Sequence, residues 1–202
     1  MSEPNYRQAI ADYIRANANP PDKFSHQPRL YQLAKSLAEN QPFDDEVLYA
    51  AVWMHDLGVF IGHRPEDPAK LSGWDNVGYA MEKTPSLLRE FGFPPEKIPA
   101  VVEAIRTHLP SGKPTSFEGT LMRDADILEQ LGAVGILRTV SKVGRDSRFV
   151  RFGDALRVLQ SNFDQLPSQL QLDSARRLAE PRLRVLKDFL EAAKAEADGG
   201  EL

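Results

Sequence analysis

Apolar positions recur along most of this chain with the three-to-four-residue spacing of an α-helix, and no stretch alternates as a half-buried strand does. Beyond Ser25, a plausible helix N-cap, one stripe is formed by Leu30, Leu33, Ala34 and Leu37. The next run, EVLYAAVWMHD, follows two aspartates, which favour a helix start, and is almost continuously apolar. Such a helix is expected to be buried. The pattern therefore predicts an all-α fold.

Further helices follow from the same spacing. They are predicted at about 5–17, 74–83, 86–91 and 95–108, as one helix over 119–143 bent near its glycines, and as two amphipathic helices within 152–197. Glycine and proline mark loops at 58–73 and 109–119, and the tail 197–202 is expected to fray. Because no repeat or linker interrupts the pattern, the chain is expected to form a single helical domain.

The composition narrows the class of protein. The 202 residues are 42% hydrophobic and 27% charged, with a formal net charge of −4, which argues against a dedicated nucleic-acid binder. The absence of cysteine excludes disulfides, thiolate catalysis and zinc–thiolate sites. The N-terminal sequence does not resemble a signal peptide, and no apolar run approaches the roughly 20 residues that cross a bilayer. A cytoplasmic protein without membrane association is the expectation.

The sharpest candidate for chemistry is the dipeptide His55-Asp56, which ends the most apolar helix. Adjacent residues in mid-helix point about 100° apart, but at a helix end both can turn toward one point. An imidazole and a carboxylate there provide half of a mixed nitrogen–oxygen metal site. A buried carboxylate is costly without a partner, and a cation is an effective partner.

Asp124 and Asp126 form a second candidate, because the apolar residues around them indicate a helix that faces a core. Each feature also has an ordinary explanation. A lone histidine on a helix is more often a surface or hydrogen-bonded core residue, and either aspartate could be solvated or serve a helix start. His63, Glu66 and Asp67 lie in a polar loop and are expected to be solvated.

The order His…His-Asp…Asp changes this balance. Four segments resemble successive motifs of the HD superfamily of metal-dependent phosphohydrolases, over about 24–143: SHQPRLYQLAKSLA, LYAAVWMHDLG, VVEAIRTHLPSG and RDADILEQLGAVGILR. The last segment is most similar to small bacterial HD hydrolases. The resemblance implies an HD-type helical bundle with a helical extension at about 152–197. The metal ligands that it implies are His26, His55, Asp56 and Asp126.

The resemblance favours Asp126 over Asp124, because the family's last ligand stands in an Ala-Asp-x-Leu context that residues 125–128 match. Residues two apart on a helix point to nearly opposite sides, so Asp124 is the fallback or a group beyond the direct ligands. Some HD proteins bind a second metal through two further histidines. His108 matches the second of these, but Trp74 stands near the place of the first. This departure favours one metal, with His108 outside the direct ligands or on the substrate.

The implied reaction is hydrolysis of a phosphate ester by metal-activated water. Arg138 and Lys113 are candidates for contacting phosphoryl oxygens, and Glu66 or Asp67 for transferring a proton. The ligand set suits one Mn²⁺, Fe²⁺, Co²⁺, Ni²⁺ or Zn²⁺ ion without choosing among them, and Mg²⁺ stays open. The expected substrate is a small phosphorylated molecule, with nucleotides as the family-level expectation.

Three other interpretations stay open. The chain could be a regulatory module that binds metal or nucleotide without turnover, or a two-iron oxygenase, against which Trp74 counts. A purely structural helical protein is the third, since a fold does not imply a function. The long amphipathic helices near the C-terminus also leave a homodimer open.

Overall fold

The computed structural model describes residues 5–200, apart from the side chain of residue 22. Within this range it contains ten α-helices and no strand beyond one isolated bridge. The helices are α1 (Tyr6–Asn17), α2 (His26–Leu37), α3 (Asp45–Met54), α4 (Pro68–Ser72), α5 (Asn76–Glu90), α6 (Ile98–Thr107), α7 (Phe117–Glu129), α8 (Gly132–Val140), α9 (Phe152–Gln165) and α10 (Asp173–Glu196). The predicted all-α fold is confirmed. None of these helices combines the length and apolar character needed to span a membrane.

The first of two compact units ends at Arg123, and α3 is its central helix. It contacts α1, α2 and α6, and its residues Val47 to Met54 are all buried. Asp44 begins the helix by accepting hydrogen bonds from the backbone N–H groups of Glu46 and Val47, which a helix start leaves without acceptors. The prediction of a buried helix with an acidic start is confirmed. The residues that follow α3 therefore start from the interior of this unit.

The second unit begins at Asp124, so the boundary between the units lies within α7. In this unit α8, α9 and α10 pack against one another. The expectation of a single domain stays a prediction. Of the tail that is expected to fray, residues 201 and 202 lie outside the described residues.

The two helices predicted at 74–83 and 86–91 are one continuous helix, α5, with Pro85 inside it. Proline removes one backbone hydrogen bond from a helix interior, which is why the sequence indicated a break. The buried side chains nevertheless continue along one face across Pro85: Val77, Ala80, Thr84 and Leu88. Packing on this face outweighs the local cost.

The prediction of one helix over 119–143 is wrong, because the chain turns between α7 and α8. Gly132 has a φ of +68°, a conformation that favours glycine. A Cβ there would lie 2.9 Å from the Cβ of Arg182, so close packing against α10 accompanies the turn. The predicted loop at 58–73 likewise contains a short helix, α4, whose first turn Asp67 caps.

Candidate metal centre

His55 and Asp56 lie where α3 ends, as the sequence predicts. His55 is the C-cap of α3, and Asp56 leads into a short 3-10 segment, Leu57–Val59. The change of backbone direction brings the two side chains together, with 3.4 Å between Nε2 of His55 and Oδ1 of Asp56. His55 is 1% exposed and the Asp56 side chain 14% exposed. The carboxylate therefore stays accessible from outside while the imidazole is enclosed.

His26 joins this pair from the first residue of α2. Its Nε2 lies 3.8 Å from Oδ2 of Asp56, and its ring centroid is 5.4 Å from that of His55. One ligand atom from each of the three residues lies within 4.8 Å of the others. The structure thus brings together three of the four predicted ligands, which we call the HHD cluster (His26, His55 and Asp56).

The spacing of the HHD cluster fits a metal ion. Two ligands that each lie about 2.1 Å from a cation, at the angles of an octahedron or tetrahedron, are about 3.0–3.5 Å apart. The two imidazole–carboxylate distances, each to a different oxygen of Asp56, lie at or slightly above this range. A small closing movement would bring both nitrogens and one carboxylate oxygen within bonding distance of one ion. Imidazole and carboxylate are also the donors that Mn²⁺, Fe²⁺, Co²⁺, Ni²⁺ and Zn²⁺ accept. The cluster can therefore hold a divalent metal ion.

The tautomer of His55 is set by its helix. Nδ1 lies 2.8 Å from the carbonyl oxygen of Val52, and since a carbonyl only accepts, Nδ1 carries the proton. A neutral ring then has its lone pair on Nε2, the atom that faces Asp56. Metal-binding histidines are commonly oriented by such a hydrogen bond from the other ring nitrogen.

His108 repeats this arrangement at the end of α6. It is the C-cap residue, 3% exposed, and its Nδ1 lies 2.6 Å from the carbonyl oxygen of Ile105. Its ring centroid is 5.0 Å from that of His55. His108 therefore lies beside the HHD cluster without belonging to it, in the neighbourhood that the sequence predicts.

Asp126 and Arg138 belong to the second unit. Asp126 is 8% exposed, and its Oδ2 is within 3.4 Å of Nε2 of Gln130. Nη1 of Arg138 lies 4.0 Å from Oδ1 of Asp126 and 3.5 Å from Oε2 of Glu129. Two residues that the sequence assigns to one site are thus neighbours within this unit. The ligand role of Asp126 stays a prediction.

Asp124 has a structural role in the second unit. Its Oδ2 accepts hydrogen bonds from the backbone N–H groups of Gln171 and Leu172, at 2.8 and 2.7 Å. Leu172 is the N-cap residue of α10. The two aspartates of α7 therefore face different surroundings, as their spacing predicts.

The remaining candidates, Glu66, Asp67 and Lys113, are exposed. Asp67 accepts a hydrogen bond from the backbone N–H of Ala69 at 2.9 Å, which caps α4. Neither loop carboxylate is a member of the HHD cluster. Their proposed roles in catalysis stay predictions.

His63 and Trp74 make hydrogen bonds to the backbone that the sequence does not predict. His63, expected to be solvated, is half-buried, and its Nδ1 lies 2.8 Å from the carbonyl oxygen of Leu57. Nε1 of Trp74 donates to the carbonyl oxygen of Gly58 at 2.7 Å. Both acceptors directly follow Asp56. The sequence places His63 in the loop after the His-Asp pair and Trp74 at the start of a predicted helix, and neither position signals these hydrogen bonds.

Comparisons with known proteins show the family to which this chain belongs. The HD domain family model matches residues 24–131, more than half of the chain. The chain is 27% identical over 183 residues to the uncharacterized protein YpgQ of Bacillus subtilis. The alignment covers 86% of this chain and 83% of YpgQ. The crystal structure of YpgQ in complex with ADP is similar with a TM-score of 0.74, at 24% identity over 98% of both chains.

A predicted HD-superfamily hydrolase from an uncultured Thermotogales bacterium is also similar in structure. Its TM-score is 0.61 at 25% identity, covering 95% of this chain and 90% of its own. The matched region contains the HHD cluster, His108 and Asp126. The chain belongs to the HD-domain family.

Proposed function

We propose that the chain is a metal-dependent phosphohydrolase that binds one divalent cation through His26, His55, Asp56 and Asp126. The observation that carries this proposal is the HHD cluster, in which two buried imidazoles and an accessible carboxylate converge from separate helices. Asp126 is the fourth ligand because it stands in the family's Ala-Asp-x-Leu context. The hydrogen bonds that Asp124 makes to the start of α10 support this choice between the two aspartates.

The chain's own residues have distinct parts in this proposal. When bound, a divalent cation would supply Lewis-acid activation of a phosphate ester and of the attacking water. Arg138 compensates negative charge on the phosphoryl oxygens, because its guanidinium can donate to two oxygens at once. Lys113, exposed in its loop, is a second cation for the substrate. Arg138 is assigned to the proposed site because it lies in the last family motif, and Lys113 because it lies in the loop at 109–119.

Proton transfer is assigned to the loop after the HHD cluster. Glu66 is a better candidate than Asp67, because Asp67 already accepts the hydrogen bond that caps α4. His108 is assigned a role beside the direct ligands or on the substrate, supported by its ring lying 5.0 Å from that of His55 and by the hydrogen bond from its Nδ1 to Ile105. A single metal is favoured because Trp74 donates to Gly58 and so has a structural role at the place where a further histidine would be expected.

The proposed substrate is a phosphate ester of a nucleotide or a related small molecule. The crystal structure of YpgQ, a relative of this chain, is a complex with ADP, which supports a nucleotide as the substrate of this chain. The same observation suits the alternative, a regulatory module that binds metal and nucleotide without turnover. Hydrolysis, rather than binding, separates the two.

The test combines metal analysis with an activity panel. Purified protein is assayed for bound metal, titrated with Mn²⁺, Co²⁺ and Ni²⁺ by calorimetry, and incubated with nucleoside mono-, di- and triphosphates while phosphate or pyrophosphate release is measured. His55→Ala and Asp56→Asn should lose metal binding and hydrolysis with circular dichroism unchanged. Asp173→Asn, at a carboxylate whose side chain is 83% exposed, is the matched control and should behave as the wild type.

The outcomes are distinct. Metal and nucleotide binding without hydrolysis would establish the regulatory module instead. Full metal occupancy in both variants would overturn the ligand assignment. A bound pair of iron ions would favour the oxygenase that the sequence leaves open.

A further inference from the structure

Two side chains hold the backbone that directly follows Asp56. His63 donates from Nδ1 to the carbonyl oxygen of Leu57 at 2.8 Å, since a carbonyl can only accept. Trp74 donates from Nε1 to the carbonyl oxygen of Gly58 at 2.7 Å. Both distances are those of good hydrogen bonds. Two consecutive carbonyls, one and two residues beyond the proposed ligand Asp56, thus accept hydrogen bonds from side chains that lie before and after α4 in the chain.

The rings of these two residues are themselves held by α5. Tyr79, in the first turns of α5, has its ring centroid 5.6 Å from that of His63 and 5.5 Å from that of Trp74. Aromatic pairs at such distances have favourable packing. His63 also contacts the fully buried Phe60, with 5.7 Å between ring centroids. The donors therefore have little freedom to leave their carbonyls.

The backbone itself is close to α5 at the same place. A Cβ on Gly58 would lie 2.3 Å from the backbone oxygen of Asn76, the first residue of α5. Such an approach allows no side chain at this position and leaves the turn little room to shift in that direction. The 3-10 segment after the HHD cluster is therefore restrained in two ways. Gly58 packs against the backbone of α5, and the carbonyls of Leu57 and Gly58 accept hydrogen bonds from His63 and Trp74.

We propose that His63 and Trp74, together called the carbonyl clamp, are positioning residues for the metal ligands. By holding the peptides of Leu57 and Gly58, they set the backbone direction of Asp56 and hence the place of its carboxylate relative to His55 and His26. This inference rests on the proposed function, because it assigns to the clamp the geometry of the same metal site. It also gives Trp74 a task at the position where the family pattern would place a histidine.

The physical effect of the clamp is preorganisation. The imidazole–carboxylate distances of 3.4 and 3.8 Å are close to those of a loaded site, so little rearrangement is needed when a cation binds. Without the clamp, Asp56 would sample other directions and binding would have to restrict it again. Residues that orient metal ligands typically change metal affinity 10- to 100-fold. The clamp acts through the backbone one and two residues beyond Asp56, so we expect an effect at the lower end of this range, about tenfold for each member.

The test uses variants that keep an aromatic ring but lose the donor, namely Trp74→Phe and His63→Phe. His63→Asn is the rescue variant, since its amide nitrogen stands near the place of Nδ1 and can still donate. Trp53→Phe is the matched control for loss of an indole. Trp53 is buried, and its Nε1 has no hydrogen-bond partner among the described residues.

Each protein is titrated with Mn²⁺ and Co²⁺ by calorimetry, and the absorption spectrum of the Co²⁺ form is recorded as a measure of ligand geometry. Urea unfolding of the metal-free proteins gives their stability. We expect Kd for the metal to rise about tenfold in Trp74→Phe and His63→Phe, with a changed Co²⁺ spectrum. His63→Asn should recover most of the affinity, and Trp53→Phe should stay within about twofold of the wild type.

Unchanged metal affinity in both donor-less variants, with lowered stability in urea, would overturn the inference and leave the clamp a purely structural feature. If His63→Phe does not fold, Trp74→Phe alone decides the question. A wild-type protein that binds no metal at all would instead overturn the proposed function, which makes the two failures distinguishable.

Discussion

The two aspartates of α7 are expected to fail in different ways when each is replaced by alanine. Asp124 is fully buried, and its Oδ2 accepts from the backbone N–H groups of Gln171 and Leu172. These donors stand at the start of α10, where N–H groups lack helical acceptors and the helix dipole favours a negative charge. Asp124→Ala should therefore lower the stability of the fold. Asp126→Ala should lower metal affinity.

The magnitude follows from the number of bonds. A hydrogen bond to a charged group contributes about 1.5–3 kcal/mol, and Asp124→Ala removes two at once. Because both share one oxygen, we expect the free energy of unfolding to fall by about 3–5 kcal/mol. In a protein of this size that corresponds to a fall in Tm of about 6–20 °C. Asp124→Asn keeps an acceptor oxygen without the charge and should lose only about 1–2 kcal/mol.

Urea unfolding and thermal unfolding, followed by far-ultraviolet circular dichroism, measure these changes. These unfolding measurements are made with EDTA present, because bound metal would add to the free energy of unfolding. Metal affinity of the folded variants is then measured by calorimetry. A structural role for Asp124 is excluded if Asp124→Ala unfolds at the wild-type urea concentration. The choice of Asp126 as the ligand is wrong if folded Asp124→Ala loses metal binding while Asp126→Ala keeps it.

Three further outcomes are expected. Gly58→Ala should lower both the stability in urea and the metal affinity, because its Cβ would lie 2.3 Å from the backbone oxygen of Asn76 in α5. Gly73→Ala is the control and should bind metal normally, because no atom lies within 4 Å of its new Cβ. Nζ of Lys97 lies 2.7 Å from Oδ2 of Asp44 and 2.6 Å from Oε2 of Glu46. Lys97→Met should therefore lower the urea midpoint of unfolding, and the decrease should be smaller in concentrated salt, which screens ion pairs. An unchanged midpoint would contradict this. The hydrogen bond from Lys97 lowers the pKa of Glu46. Burial raises the pKa of Asp44, but Lys97 and the backbone N–H groups of Val47 and Glu46 together lower it on balance. Since the folded pKa values lie below the unfolded ones of about 4, this stabilisation is fully present above that pH and is lost as the pH falls through the lower, folded pKa values. Hydrogen bonds to Asp44 and Glu46 raise the pKa of Lys97, so its contribution is present below pH about 10.5 and lost as the pH rises past that value. A pH series of urea midpoints should therefore fall less steeply on acidification in Lys97→Met than in the wild type.

The part of the site that could be predicted from sequence is the part encoded locally. A nearly continuous apolar helix followed by His55-Asp56 predicts both the burial and the helix end, and the structure confirms each. His26 and Asp126 needed the family pattern, because no local rule connects residues so far apart in the chain. The structure brings His26 to the pair.

The contacts that could not be predicted depend on distant residues. The sequence makes Asp124 a fallback ligand, and it gives no sign of the hydrogen bonds from Gln171 and Leu172, which lie almost 50 residues further along the chain. His63 looked solvated because polar loop residues usually are. Its acceptor is a backbone carbonyl, which carries no signature in the sequence.

His55 and His108 each lie at the end of a helix, and this position determines how their rings are held. The carbonyls in the last turn of a helix have no following helical N–H to accept from. His55 and His108 each donate Nδ1–H to such a carbonyl three residues back, at Val52 and Ile105. One hydrogen bond thus satisfies the helix end and fixes the tautomer that exposes Nε2. In mid-helix the same carbonyl would already be bonded to its own backbone partner, and the ring would lose this constraint. In the proposed metal site the place of His55 at a helix end therefore matters as well as its residue type, because the break in the helix frees the carbonyl of Val52 to orient the ring.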